Sequence, residues 1–266
     1  MTSERRRLAL VTGASAGIGV AYAERLARDG WDVIITGRRK DRLVHLAERL
    51  HAEFGSQVEP VAADLSTEAG VAQIDDLCRH RELDMLVNNA GTAHYMPFLD
   101  LSDEDLRELV AVDALVPTVL THSAVGGMVE RGRGSIINLS SLLAFSDAVS
   151  LPMFPKRVVY ASTRAYLVVF TRLLAEELTG TGVKAVVVCP GIVRTEFHTR
   201  QGMDMSQVPR LEAEAVVQAS LIALDTGEVV CIPTLDDPHL SAARDEAQAE
   251  LVRRAFPPNL AARYTS

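Results

Sequence analysis

Short apolar runs alternate along this chain with longer stretches in which apolar residues recur every three or four positions. The runs fall at residues 8–12, 32–36, 58–62, 85–87, 135–139 and 183–189, with 228–232 a shorter seventh. Their near-continuous Val, Ile and Leu content suits strands covered on both faces. Between them, Ile18, Tyr22 and Leu26 recur at spacing four within 17–29, and Leu43, Leu46, Leu50 and Phe54 share one face of 39–54. Repeated strand–helix alternation predicts βαβ units with right-handed crossovers. The expected fold class is therefore α/β, a doubly wound parallel sheet of about seven strands with helices on both faces.

Length and composition narrow this reading. At 266 residues, 48% hydrophobic and 23% charged, the chain is long enough for one α/β domain that folds without disulfides or metal. No linker, repeat or low-complexity segment divides it, so 1–266 reads as a single domain. After Pro233 the composition changes. Asp236-Asp237-Pro238 opens an acidic helical stretch ending near Arg254, read as a C-terminal extension over about 233–266. The net charge of −8, from 27 basic and 35 acidic residues, argues against a nucleic-acid or acidic-membrane binder. Cys78, Cys189 and Cys231 are far apart and form no CxxC pair, as in a reducing cytoplasm. The basic start runs into an apolar stretch too short for a signal-peptide core, and no apolar run approaches the ~18 residues of a membrane span. A soluble cytoplasmic protein is the expectation.

The strongest local signal is Thr12-Gly13-Ala14-Ser15-Ala16-Gly17-Ile18-Gly19, between the first strand and the first helix. Glycines permit a tight turn and close backbone approach to a pyrophosphate, while the helix start offers free N–H groups and partial positive charge. That order of strand, loop and helix predicts a dinucleotide site in a Rossmann-type domain. The end of the second strand selects the nucleotide. It reads Thr36-Gly37-Arg38-Arg39, where an NAD site usually carries a carboxylate for the ribose 2′-OH. A guanidinium fork suits a 2′-phosphate instead, so NADP(H) is expected over NAD(H). Asp64, ending the third strand, could accept from the adenine amine or cap the next helix.

With these landmarks in place, the sequence resembles the short-chain dehydrogenase/reductase family from about residue 8 to 195. The loop from Thr12 to Gly19 looks like the family's TGxxxGIG. Asp64-Leu65 resembles its adenine-contacting aspartate, and Asn88-Asn89-Ala90-Gly91 its NNAG after the fourth strand. Ser135 to Ser141 (SIINLSS) is similar to the fifth strand ending in the catalytic serine, and Pro190-Gly191-Ile192-Val193-Arg194-Thr195 to the PGxVxT after the sixth. The resemblance implies cofactor contacts from Thr12, Gly13, Ser15, Gly17, Ile18, Gly19, Arg38, Arg39, Asp64, Leu65, Asn89, Ala90, Gly91, Tyr160, Arg164, Pro190, Gly191, Val193 and Thr195. It also implies a catalytic set of Ser141 (with Ser140 a neighbour), Tyr160, Arg164 and Asp113. Two of these depart from the family. Arg164 stands where its Tyr-x-x-x-Lys motif has lysine, and Asp113 where it has asparagine. Ser141 and Tyr160 are 19 positions apart, more than is usual, so 146–159 is read as containing an insertion.

Residues four apart share a helix face, so Arg164 can lie beside Tyr160. A unit charge ~5 Å from the phenol, at an effective dielectric of ~20, stabilises the phenolate by roughly 3 kcal/mol. Arginine can thus supply the field and the ribose hydrogen bonds of the family's lysine, but it cannot readily give up a proton. Asp113 is expected to pair with Arg164 directly or through one water and to cancel part of that field. Lys156, just before the Tyr160 helix, is a lesser substitute for the missing ammonium.

The resemblance implies an NADP(H)-dependent carbonyl reductase or alcohol dehydrogenase acting on CH–OH/C=O pairs. Ser141 and Tyr160 would bond the carbonyl oxygen and Tyr160 would donate the proton. Two alternatives stay open: a nucleotide-retaining enzyme of non-redox chemistry (dehydration, cyclisation, isomerisation), and an inactive nucleotide-binding protein. For the substrate pocket, Tyr95-Met96-Pro97-Phe98, the insertion residues Leu151, Met153 and Phe154, and a loop over about 192–208 carrying Phe197 to Met205 suggest a medium-sized organic carbonyl or alcohol. Core packing is an equal account of these residues. His94 and His198 could touch substrate, and their spacing suggests no metal. The long helices over 103–130 and 160–178 resemble those that pair in family homodimers and homotetramers.

Overall fold

A computed structural model describes residues 5–149 and 157–264, so the insertion residues Leu151, Met153 and Phe154, together with Lys156, lie outside the described residues. The chain divides into two units, Met1–Pro233 and Thr234–Ser266. Among the described residues, the first holds seven parallel strands: β1 Leu8–Val11, β2 Asp32–Gly37, β3 Val58–Ala62, β4 Met85–Asn88, β5 Gly134–Leu139, β6 Val183–Val188 and β7 Val230–Cys231. Their order is β3-β2-β1-β4-β5-β6-β7, each pair parallel. The helices of this unit are α1 Gly17–Arg28, α2 Lys40–Phe54, α3 Glu68–His80, α4 Asp103–Val110, α5 Val116–Glu130, α6 Val158–Glu177, α7 Glu196–Thr199 and α8 Ala213–Thr226. In the second unit, α9 spans His239–Ala255.

Strand alternation sends successive side chains to opposite faces. Ala9, Val11, Val33, Ile35, Val87, Ile137 and Val186 form one core with α1, α2 and α8. Leu10, Ile34, Leu86, Ile136 and Ala185 form the other with α3 and α5. Burial on both faces is why most strands read as unbroken apolar runs. The exception is β3, which carries exposed Glu59 and Pro60. It is an edge strand, where a missing backbone donor and a charged side chain are tolerated.

By length and composition alone, the helical stretch Asp103–Glu130 and α6 would suffice to cross a membrane, which corrects the expectation drawn from apolar runs. In this fold both pack on the sheet. Leu120, Ala124 and Met128 of α5 and Leu167 and Val168 of α6 are buried, and each stretch buries a charge, Asp113 and Arg164 respectively. A π-turn over Ala111–Leu115 joins α4 to α5 and carries Asp113.

All strands point the same way, but the order in which they are added reverses between β1 and β4, opening a crevice beyond the strands' carboxyl ends. The glycine loop, Gly37 to Arg39, Asp64-Leu65, Asn89 to Gly91, Ser140-Ser141 and Pro190 to Thr195 each lie at or after a strand end on that rim.

Candidate active site

The loop after β1 is shaped by what surrounds it. Gly13 has φ +67°, and a Cβ there would stand 2.8 Å from the Ala90 Cα. A Cβ on Gly19 would stand 2.5 Å from the Gly13 carbonyl oxygen, so α1 can start against the loop only with glycine there. Thr12 is buried. Its Oγ1 accepts from the N–H groups of Asn89 and Ala90, both at 2.9 Å, and Asn89 Nδ2 donates to the Thr12 carbonyl at 2.8 Å. These bonds tie the β1 and β4 ends together across the crevice. Thr12 and Gly19 therefore shape the cleft without lining it, unlike their expected role as contacts.

The cleft itself has a volume of about 960 Å³ and is continuous from the glycine loop to Tyr160. Gly13, Ser15, Gly17, Ile18, Arg38, Arg39, Asp64, Leu65, Asn89, Ala90 and Gly91 line one end, with Pro190, Gly191, Val193 and Thr195 along the side. The two arginines differ. Arg39, at the N-cap of α2, donates to the Ser15 carbonyl at 2.9 Å and to Ser15 Oγ at 3.0 Å, and pairs with Glu196 at 3.0 Å. Arg38 is 62% exposed, with Glu108 at 3.9 Å. Glu196 also binds Arg42 and Arg200, and Arg200, Arg42 and Arg39 together hold its carboxyl down at about 2. Asp64 Oδ1 accepts from the N–H and hydroxyl of Ser66 at 3.0 and 2.8 Å, which closes a turn at the end of β3.

Tyr160, Arg164 and Ser141 line the other end. Tyr160 and Arg164 are buried along one face of α6, and the Arg164 guanidinium lies over the phenol ring, 4.8 Å from its centroid. Arg164 Nη1 donates to the Leu139 carbonyl at 3.0 Å, and Ser140 Oγ donates to the Arg164 carbonyl at 2.8 Å. Ser140 is thus spent on holding α6, while Ser141 Oγ, accepting from the Leu143 N–H at 3.1 Å, keeps its own proton to donate. Asp113 does not line the cleft. It lies behind Arg164 with Oδ2 at 2.9 Å from Nη2, and its Oδ1 accepts from the Thr92 N–H at 2.9 Å. The Arg164 contact is charge against charge, not an aligned hydrogen bond. Burial lifts Asp113 to about 6 against the pull of Arg164. Burial works to lower Arg164, but Asp113 and Tyr160 outweigh it and raise it. Gly91 is required by this pair, because a Cβ there would stand 2.6 Å from Arg164 Nη2.

Beyond Tyr160 the walls are aromatic. The Tyr95 ring stands edge-on to Tyr160 at 6.2 Å and to Phe197 at 6.1 Å, with His198 at 6.0 Å. Burial pushes the Tyr95 phenol well above its usual range, so it stays protonated. Met203 and Met205 join the lining, whereas Met96, Pro97 and Phe98 do not. His94 faces away from the cleft chemistry. Its Nε2 lies 2.7 Å from Glu108 and its Nδ1 3.3 Å from Asp105, and the three ligand-type groups lie within 4.8 Å of one another. One residue that sequence reasoning passed over lines the cleft as a buried cation. Arg157, at the N-cap of α6, stacks its guanidinium 3.4 Å over the Tyr95 ring. Its position before a helix start gave no signal of burial.

Comparison with known proteins identifies the family. Residues 7–206 match the family described as short chain dehydrogenase. The chain is 32% identical over 193 residues to the very-long-chain 3-oxoacyl-CoA reductase of Bos taurus, covering 71% of this chain but spanning only 60% of that longer relative. It is 34% identical over 244 residues to sulfoacetaldehyde reductase 2 of Chromohalobacter salexigens, covering 90% of this chain and 92% of that one. Among solved structures, a short-chain dehydrogenase from Sphingobium yanoikuyae in complex with NADPH superposes with a TM-score of 0.91 at 33% identity, covering 97% of this chain and all of that one. A family match over more than half its length, on a seven-stranded sheet with the motifs gathered at one rim, makes this chain a member of the short chain dehydrogenase family.

Proposed function

We propose that this protein is an NADP(H)-dependent oxidoreductase that interconverts a medium-sized organic carbonyl compound and its alcohol: R₂C=O + NADPH + H⁺ ⇌ R₂CHOH + NADP⁺. The observation that carries this is the single cleft joining the glycine loop and Arg38 to Ser141, Tyr160 and Arg164. NADPH fits the residues present. Arg38 offers an exposed guanidinium where an NAD site would carry a carboxylate, and Gly191 leaves open space along the wall. The solved relative from Sphingobium yanoikuyae, in complex with NADPH, supports the same reading.

When bound, NADPH supplies the hydride. The chain's own residues do the rest. Ser141 Oγ and the Tyr160 phenol donate hydrogen bonds to the carbonyl oxygen, and Tyr160 gives up its proton as alkoxide character develops. Arg164 stabilises the resulting phenolate through its fixed charge. It does not reprotonate Tyr160, since a guanidinium flanked by a carboxylate holds its protons. Asp113 holds Arg164 over the ring and is a positioning residue. Asn89 and Thr12 fix the loop against which the nucleotide binds.

The proposed assembly is a homodimer or homotetramer through α5 and α6, whose outward sides carry Val129, Tyr166, Val169 and Leu173, each at least 38% exposed. Cytoplasmic residence is consistent with Cys78, Cys189 and Cys231 being buried thiols. The test is Tyr160→Phe. Consumption of NADPH, followed at 340 nm over a panel of ketones and aldehydes, is expected to fall by about 10²–10⁴-fold with NADPH affinity retained. Undiminished turnover in that variant overturns the proposal.

A further inference from the structure

Arg157 is only 8% exposed, lines the cleft, and forms no ion pair with any carboxylate among the described residues. The adjoining residues 150–156 contain no acidic side chain. A buried guanidinium without a counter-charge is costly. The cost is raised further here, because Arg157 sits at the N-terminus of the 20-residue helix α6, the positive end of its dipole. Its Nε makes no hydrogen bond, and its planar face is taken by Tyr95.

Three carboxylates of this region are already committed. Asp113 pairs with Arg164, Glu108 with His94, and Glu196 with Arg39, Arg42 and Arg200. Also against Tyr95, His198 lines the cleft with a buried Nδ1 that lacks a partner. Burial, then Arg157 and Arg210, hold His198 below its usual range, so it is neutral near pH 7. This end of the cleft therefore presents fixed positive charge and a neutral imidazole, walled by aromatic rings.

We propose that Arg157 binds an acidic group on the substrate, a carboxylate or sulfonate, so that the enzyme acts on carbonyl acids in preference to neutral ketones and aldehydes. This rests on the oxidoreductase reading above and adds the substrate class. Arg157 precedes Tyr160 by three residues, about one helical turn, and the Tyr95 ring touches both side chains. An anion on Arg157 thus leaves a carbonyl only a few bonds away to reach the Tyr160 phenol. The aromatic walls take the apolar body between them.

The experiment compares matched probes with the full-length enzyme and NADPH: 4-oxo-4-phenylbutanoate against its methyl ester, and sulfoacetaldehyde against propanal. The readout is the ratio of kcat/KM, acid over neutral. Wild type is expected to favour the acid of at least one pair. Arg157→Gln should lower that ratio by about 30-fold or more, mainly through KM, and Arg157→Lys should give an intermediate ratio. A wild-type preference for the neutral member of both pairs overturns the proposal, as does a ratio that Arg157→Gln and Arg157→Lys leave unmoved. Calorimetric titration of 4-phenylbutanoate into the NADP⁺ complex separates this proposal from the reading beneath it. Binding that weakens in the Arg157 variants supports the anion site even where no carbonyl is reduced, a result that would sink the oxidoreductase reading alone. Absence of such binding in wild type, with carbonyls still reduced, sinks only the anion site.

Discussion

Arg164 and Asp113 bury opposite charges against each other, Nη2 to Oδ2 at 2.9 Å, with side chains 5% and 0% exposed. Removing the cation would leave a carboxylate stranded in the interior. Arg164→Leu is expected to cost about 3–5 kcal/mol at pH 8, read by urea denaturation. Adding Asp113→Asn should recover more than half of that loss, because the stranded charge is then gone. Equal losses in the single and double variants would show that the pair is not coupled.

The same pair fixes a pH dependence. Burial lifts Asp113 to about 6 from an ordinary 3.8, so between those values the native protein holds a proton that the unfolded chain has released. Its stabilising contribution is full below about pH 4 and is lost as pH rises through about 6. Glu196 runs the other way. Held at about 2, it contributes above its ordinary 4.5 and loses that contribution on acidification. Scanning calorimetry from pH 3.5 to 7.5 should show Asp113→Asn gaining Tm relative to wild type across pH 4 to 6 and holding the gain above it. Parallel curves would contradict the assignment.

Gly91 offers a test of packing without touching any charge. A methyl group there meets Arg164 Nη2 at 2.6 Å, so Gly91→Ala must displace the guanidinium. We expect kcat to fall by about 10-fold or more, in line with the loss from misplacing a positioned group by about 1 Å. The slimmer ammonium in Gly91→Ala/Arg164→Lys should restore part of it. Loss without rescue would place the damage in the Asn89–Gly91 backbone instead.

How far the site could be read in advance follows from what each signal encodes. Strands buried on both faces announce themselves, and residues 58–62 were read as one of them although β3 carries exposed Glu59 and Pro60. Tyr160 and Arg164 are one turn apart, so their shared face was legible from spacing alone. Motif positions carry location but not direction. Thr12 and Gly19 sit in the glycine loop yet turn inward, one to Asn89 and the other to the Gly13 carbonyl. Arg157 was invisible because its burial is set by Tyr95, a residue distant in sequence. His94, a free side chain on paper, is claimed by Glu108 and Asp105 from α4.

Arg38 and Arg39 should separate cleanly in cofactor binding. Arg38 is mostly exposed and held, among the described residues, only by a long 3.9 Å pairing with Glu108, so Arg38→Leu is expected to raise the NADPH Kd by about 10- to 100-fold and to move the NADH Kd far less, measured by fluorescence titration. Arg39 anchors Ser15 of the glycine loop, so Arg39→Leu should weaken both nucleotides together. Equal effects of the two variants on NADPH selectivity would contradict this division.

The π-turn at Ala111–Leu115 has a consequence for how this protein can change over evolutionary time. Each residue in a regular helix advances the chain by about 100°, so losing one residue from that wide turn would swing α4 through roughly that angle relative to α5. Glu108, beside Arg38, and Asp113, behind Arg164, would leave their stations in the same event. Point replacements can retune either end of the cleft separately, but a length change at this spot strikes cofactor selection and proton chemistry at once. Descendants are therefore confined to a corridor in which this stretch keeps its residue count.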